Sequence, residues 1–104
     1  MWYIYVAECC DGSLYCGISK DVSARIARHN AGKGAKYTAS RLPIRLLSFA
    51  PVSEQRSDAL RIEHKFKKLN RKKKLSYLQV GLGSFLQENA QVHAHDDHID
   101  TCAD

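Results

Sequence analysis

Trp2-Tyr3-Ile4-Tyr5-Val6 and Ser13-Leu14-Tyr15-Cys16-Gly17-Ile18 are two strand-forming stretches joined through Cys10-Asp11-Gly12, and the pairing of these stretches decides the fold. A two-residue Asp11-Gly12 loop would pair positions whose numbers sum to 23 and send Tyr5 and Tyr15 to opposite faces. A three-residue Cys10-Asp11-Gly12 loop pairs positions that sum to 22 and puts both tyrosines on one face. Gly12 then fills the left-handed slot of a type I turn with a G1 bulge. The second register sorts the residues cleanly. Trp2, Ile4, Val6, Leu14, Cys16 and Ile18 form an apolar face, and Tyr3, Tyr5, Ala7, Tyr15, Gly17 and Ser19 form the other. A half-buried hairpin needs one apolar side. The side with phenols beside small residues is predicted to leave room for a ligand.

Outward from the hairpin, strands are expected over about 2–8 and 13–19. Asp21 is the N-cap of a helix over about 22–30, closed by Asn30-Ala31-Gly32, with Val22 and Ile26 as its core contacts. Gly32-Lys33-Gly34-Ala35-Lys36-Tyr37-Thr38-Ala39-Ser40 is expected as a loop, followed by a third strand from Ile44 to Ala50 that Pro51 ends. A second helix is predicted from about Ser53 to Leu69, with Ala59, Ile62, Phe66 and Leu69 as a core stripe. Asn70 interrupts it. A shorter helix through Leu75 and Leu78 stops at Gly81, and Ser84 to Asn89 adds one more turn. This order implies an α+β domain, a small three-stranded antiparallel sheet flanked by helices. The expected division is a folded domain over 1–86 and an acidic, His/Asp-containing tail over 87–104, polar enough to be flexible.

The 104 residues suffice for one modest core. No apolar run reaches the length of a membrane span, and the charged start and long apolar stretch of a signal peptide are missing. With four cysteines that match no common zinc spacing, this points to a reducing cytoplasm and to thiols that are small hydrophobes. Net charge is +5, but unevenly spread: residues 1–84 hold all 16 Lys and Arg against six acids, while 85–104 hold five acids and no Lys or Arg. A strongly basic domain suggests a polyanionic partner, most often nucleic acid, against the plainer alternative of solubilising charge.

Arg25 and His29, four residues apart, are neighbours on one face of the first helix. Arg25 suits a phosphate clamp and His29 a hydrogen bond to phosphate or tyrosine; the alternative is a solvated pair. Glu63, beside the apolar stripe, is either a salt-bridge partner or the single protein ligand of a hydrated Mg²⁺ or Mn²⁺. Lys67, Lys68 and Arg71 to Lys74 form the densest cationic run, and Arg71 to Lys74 begin a helix, where the macrodipole disfavours positive charge. That suits a phosphate backbone nearby or a solvated cluster. The Gly32–Thr38 loop carries two glycines and two lysines but lacks the P-loop spacing.

Together these residues resemble the GIY-YIG nuclease superfamily, most closely its small stand-alone members of the YhbQ type, over roughly residues 2–86. Tyr3-Ile4-Tyr5 stands where the family has GIY, and Tyr15-Cys16-Gly17 where it has YIG. Arg25 and His29 fit the helix-one arginine and frequent histidine, Gly32–Thr38 looks like the subfamily's signature loop, and Glu63 falls at the metal-ligand position. Tyr3 and Cys16 depart from the usual glycine and isoleucine, and the asparagine that follows the glutamate in larger members has no counterpart. Those members' targeting domains have none either, which implies slow or weakly sequence-selective cleavage.

The resemblance implies a metal-dependent endonuclease acting on DNA, single-stranded or branched forms included, in repair or DNA processing. It would use Mg²⁺ or Mn²⁺ held by Glu63. Tyr5, with or without Tyr15, would take a proton from water, aided by a nearby cation or by a relay through His29, the choice of tyrosine being left open by the sequence, and Arg25 would neutralise the phosphate. Lys33, Lys36, Tyr37, Lys67 and Lys74 would position the strand, Tyr37 by stacking on an unpaired base. The competing expectation is a nucleic-acid-binding module with weak or lost catalysis. A metal site in the His/Asp tail is a third.

Overall fold

The structure, a computed structural model, describes residues 1–89. The hairpin pairs β1 (Trp2–Glu8) antiparallel to β2 (Leu14–Ser19), with Tyr5 opposite Gly17, Val6 opposite Cys16 and Ala7 opposite Tyr15. These pairs sum to 22, as the three-residue turn requires. The Cys9 N–H donates to the Ser13 carbonyl at 2.8 Å, and Gly12 holds φ at 85°, where only glycine is free of strain. Asp11 Oδ1 accepts from both the Ser13 amide (3.0 Å) and its hydroxyl (2.6 Å), which holds the Asp11 carboxyl below its usual range.

The third strand, β3 (Arg45–Ser53), pairs antiparallel with the other side of β1, giving the order β2-β1-β3. It runs through Pro51 instead of ending there. β3 is an edge strand, and the missing proline N–H is tolerated at an edge because no further strand needs it. The register slips between Val6 and Ala7 and again between Trp2 and Tyr3. That second irregularity accompanies a second correction: Trp2, expected on the core face, is absent from the core cluster. Its ring instead lies near Lys20 Nζ and Arg56.

Helices cover both faces. The apolar face, Ile4, Val6 and Cys16 flanked by Leu14 and Ile18, packs on Phe66 of α3 (Arg56–Lys67) and on Leu82 and Phe85 of a C-terminal helix. Phe66 and Phe85 meet edge to face at 5.2 Å. On the other face, Ala7, Cys9 and Ile44 pack with Tyr15, Leu42 and Ile26 of α1 (Val22–Asn30). Asp21 caps α1 by accepting from the Ala24 N–H at 3.1 Å.

The remaining helices differ from expectation in their limits. The segment expected as a loop contains one helical turn, α2 (Lys36–Ala39), where Thr38 and Ala39 N–H groups both reach the Ala35 carbonyl. α3 starts later than Ser53, because Ser53 still belongs to β3 and its hydroxyl is engaged by Asp58 at 2.7 Å. It stops at Lys67, because Asn70 serves as N-cap of α4 (Arg71–Val80), accepting from the Lys73 N–H at 2.9 Å. α5 (Leu82–Asn89) is two turns rather than one and buries Leu82 and Phe85. No helix among the described residues is long and apolar enough to cross a membrane. Positions 90–104, with the acidic segment and the proposed tail metal site, lie outside the described residues.

Candidate active site

The tyrosine face of the hairpin is closed rather than open. Tyr5 is 1 % exposed, and the space beside it is filled by its own phenol. A Cβ on Gly17 would lie 2.6 Å from Tyr5 Oη and 2.7 Å from its Cζ. The small residue therefore makes room for the tyrosine, not for substrate. Tyr5 Oη meets His29 Nε2 at 3.0 Å, and His29 Nδ1 meets Thr38 Oγ1 at 2.8 Å. Thr38 Oγ1 in turn donates to the Ala35 carbonyl at 3.0 Å. Two tautomers fit these partners: with the proton on Nδ1, that atom donates to Thr38 and Nε2 accepts from Tyr5, and with the proton on Nε2, Nδ1 accepts from the Ala35 N–H at 3.4 Å.

His29 is thus not one half of a solvated pair. It is 0 % exposed, carried inward on the same stripe as Val22 and Ile26 while Arg25 stays on the flank. Burial, reinforced by the Arg25 charge, lowers its pKa, so the ring is neutral near pH 7. Gly34 packs against it: a Cβ there would come within 2.7 Å of the ring Cγ and 2.9 Å of the His29 Cα. The glycine in this loop gives close approach to the histidine. Thr38 and Gly34 received no role from the sequence, although both lie in the loop it singled out.

Tyr15 stands in front of this network, half-buried, with ring centroids 6.3 Å from Tyr5 and 5.1 Å from His29. Two sets of charges from opposite faces of the sheet act on its phenol. Arg25 comes from α1, and Lys67 and Glu63 from α3. Desolvation raises the Tyr15 pKa, Lys67 and Arg25 pull it back, and Glu63 adds to the rise. Tyr5 is raised further, first by burial and then by Tyr15, with a hydrogen bond and charge from Arg25 opposing. Glu63 Oε2 pairs with Lys67 Nζ at 3.2 Å, one helical turn apart, and its side chain is 15 % exposed. Cys16, on the far side of β2, also feels Glu63, Lys67 and Lys74; burial pushes its thiol up to about 12, so it is a protonated core residue. The structure therefore brings Tyr5, Tyr15, Arg25 and His29 together on one side of β2, while Glu63 and Lys67 reach Tyr15 through their charge and Lys74 reaches only Cys16.

Comparison with known proteins settles which family this arrangement belongs to. The GIY-YIG catalytic domain family model matches residues 1–76. The chain belongs to the GIY-YIG family. Relatives of this GIY-YIG domain include a UPF0213 protein of Bacillus cereus, 47 % identical over 77 residues that cover 74 % of this chain and 79 % of the relative. Another, from Lacticaseibacillus paracasei, is 51 % identical over 78 residues, 75 % and 86 % of the two chains. The solution NMR structure of a UPF0213 protein from Bacillus halodurans superposes with a TM-score of 0.50 at 38 % identity, covering 88 % of this chain and 98 % of that one.

Around the centre of this GIY-YIG domain, Lys33 and Lys36 are exposed near the C-terminal end of α1 and at the start of α2. Tyr37 is 40 % exposed; Tyr15 stacks near it at 6.1 Å and 21°, and Arg41 lies over the ring, 4.0 Å from its centroid. Arg41, which the sequence left without a role, also binds Asp11 Oδ2 at 3.1 Å and the Tyr37 carbonyl at 2.7 Å, tying the hairpin turn to this loop. Among the described residues no three His, Cys, Asp or Glu side chains cluster as a metal cage. Glu63, with Oε2 on Lys67 and Oε1 left over, fits a cation that keeps most of its water, which is the habit of Mg²⁺ and Mn²⁺.

Proposed function

We propose that this GIY-YIG domain is a metal-dependent endonuclease that hydrolyses DNA phosphodiester bonds, single-stranded or branched DNA included, in repair or DNA processing in the cytoplasm. One observation carries the proposal: Arg25 and the Glu63–Lys67 pair, delivered by helices on opposite faces of the sheet, act on the same Tyr15 phenol. Cations and a carboxylate within electrostatic reach of one phenol suit a phosphate in attack by water.

Arg25 would neutralise the non-bridging oxygens as charge builds on them. Glu63 would hold Mg²⁺ or Mn²⁺, which when bound supplies a Lewis acid for the phosphate and the leaving oxygen. Tyr5 is protonated at neutral pH, so it serves as base only by passing its own proton on. Neutral His29 protonated on Nδ1, with Nε2 turned to Tyr5 Oη at 3.0 Å, is the acceptor in place. A charged ring there is opposed by burial and by Arg25, so it holds the proton only briefly. Tyr15, nearer the opening and flanked by Lys67 and Arg25, would orient the water. Lys33, Lys36, Lys67 and Lys74 would bind the phosphate backbone.

Labelled single- and double-stranded DNA incubated with Mg²⁺ or Mn²⁺ tests the proposal. The wild-type domain should cut, while Arg25→Ala and Glu63→Ala should bind without cutting. Binding without cutting by the wild type would instead identify a nucleic-acid-binding module.

A further inference from the structure

We propose that the cleft between Trp2 and α1 is a subsite for one unpaired DNA base and its flanking phosphates, next to the scissile position; this deepens the nuclease reading and rests on it. The cleft has a volume of about 340 Å³ and is lined by Trp2, Ile18, Lys20, Arg25 and Arg28, among others. That falls within the range of roughly 300–1,000 Å³ typical of small-molecule sites. Trp2 reaches it because the ring is not used in the core. It is half-buried, with Lys20 Nζ 5.5 Å and Arg56 Cζ 5.7 Å over the ring, so a base that stacks there first displaces one of these exposed side chains, which then has the flanking phosphates to bind.

The charge around the ring is one-sided. Lys20, Arg28 and Arg56 are exposed and form no ion pair among the described residues, unlike Arg41, Arg45 and Arg61, which all do. The one acid in the lining, Asp21, is committed to capping α1 through Ala24. An aromatic ring amid unpaired cations fits a ligand with a flat π-face and negative charges on either side of it, which describes a nucleotide within a strand. A base paired inside a duplex cannot present that face. Arg25 joins the cleft to the active site, since it lines the cleft and also acts on Tyr5 and Tyr15. A strand whose phosphate rests on Arg25 therefore has a neighbouring base within reach of Trp2.

Trp2 is the single tryptophan of the chain, so its emission reports on the cleft directly. Short oligo(dT), an abasic strand of equal length and a duplex would be titrated while tryptophan emission and the anisotropy of labelled DNA are both followed. Oligo(dT) should quench Trp2, and the abasic strand should bind more weakly and leave emission unchanged. Trp2→Leu should weaken oligo(dT) binding about fivefold or more without altering duplex binding, and Trp2→Phe should restore most of the loss. Arg28→Gln with Arg56→Gln should weaken oligo(dT) and the abasic strand alike while oligo(dT) still quenches. Oligo(dT) binding without quenching, and undiminished in Trp2→Leu, would overturn the subsite and leave the nuclease reading standing. Quenching by oligo(dT) in a domain that never cuts DNA would uphold the subsite and remove the nuclease. Failure to bind any of the three would remove both.

Discussion

Gly17→Ala places a methyl group where Tyr5 already is. The new Cβ would sit 2.6 Å from Oη and 2.7 Å from Cζ, so the ring has to retreat by most of an ångström. It has little freedom to do so. Tyr5 is buried, lies directly opposite Gly17 in the ladder, and is anchored to His29 at 3.0 Å. Overpacking of this kind costs about 1–3 kcal/mol. A lost buried hydrogen bond adds about 1–2 kcal/mol. The expected loss is therefore about 2–5 kcal/mol, a fall in Tm of roughly 8–40 °C for a domain of this size. Urea and thermal unfolding measure it. Tyr5→Phe removes the nearest atom but leaves Cζ, so Gly17→Ala should cost less in a Tyr5→Phe background than in the wild type. A Gly17→Ala protein within about 0.5 kcal/mol of wild type, with additive effects in the double mutant, would refute the packing described.

Thr38→Val removes the hydroxyl from His29 Nδ1 and should destabilise by about 1–2 kcal/mol, read from the urea midpoint. His29 has its pKa lowered by folding, so the unfolded chain binds the proton more readily; stability should decline as pH falls below the unfolded value of about 6.5 and level off beneath the folded one. A flat urea midpoint across that window would contradict a buried neutral ring. Lys33→Gln, Lys36→Gln and Lys74→Gln should each reduce the salt dependence of DNA binding by about one phosphate contact, and unchanged slopes would remove these residues from the interface.

Some of this was open to reading from the residues. The hairpin register followed from turn chemistry, because only a three-residue loop keeps six apolar side chains on one face. The cap at Asp21 was equally plain, since it supplies a side-chain oxygen where helix amides lack partners, while Asn70, read only as an interruption, proves to be the N-cap of α4. A hydrogen bond from His29 to a tyrosine was among the readings, but its burial was not, although the signal existed: Val22, Ile26 and His29 are spaced 4 and 3 apart, the period of a buried stripe, and a polar residue on it must find internal partners. Other features had no local signal. Trp2 leaves the core where the register slips, which depends on how β3 pairs, and Pro51 is tolerated only because β3 lies at the sheet edge. The four-residue α2 is too short for periodicity to detect. The contacts of Tyr37 with Arg41 and Tyr15 join residues across loops.

The account depends most on the half-buried carboxylate of α3 serving a divalent cation during strand scission. Single-turnover cleavage followed across a Mn²⁺ titration, for wild type and Glu63→Gln, tests this most directly. The wild-type rate should saturate with metal, and Glu63→Gln should be slower by about 100-fold or more with DNA affinity little changed. Equal rates and equal metal dependence in the two proteins would contradict it.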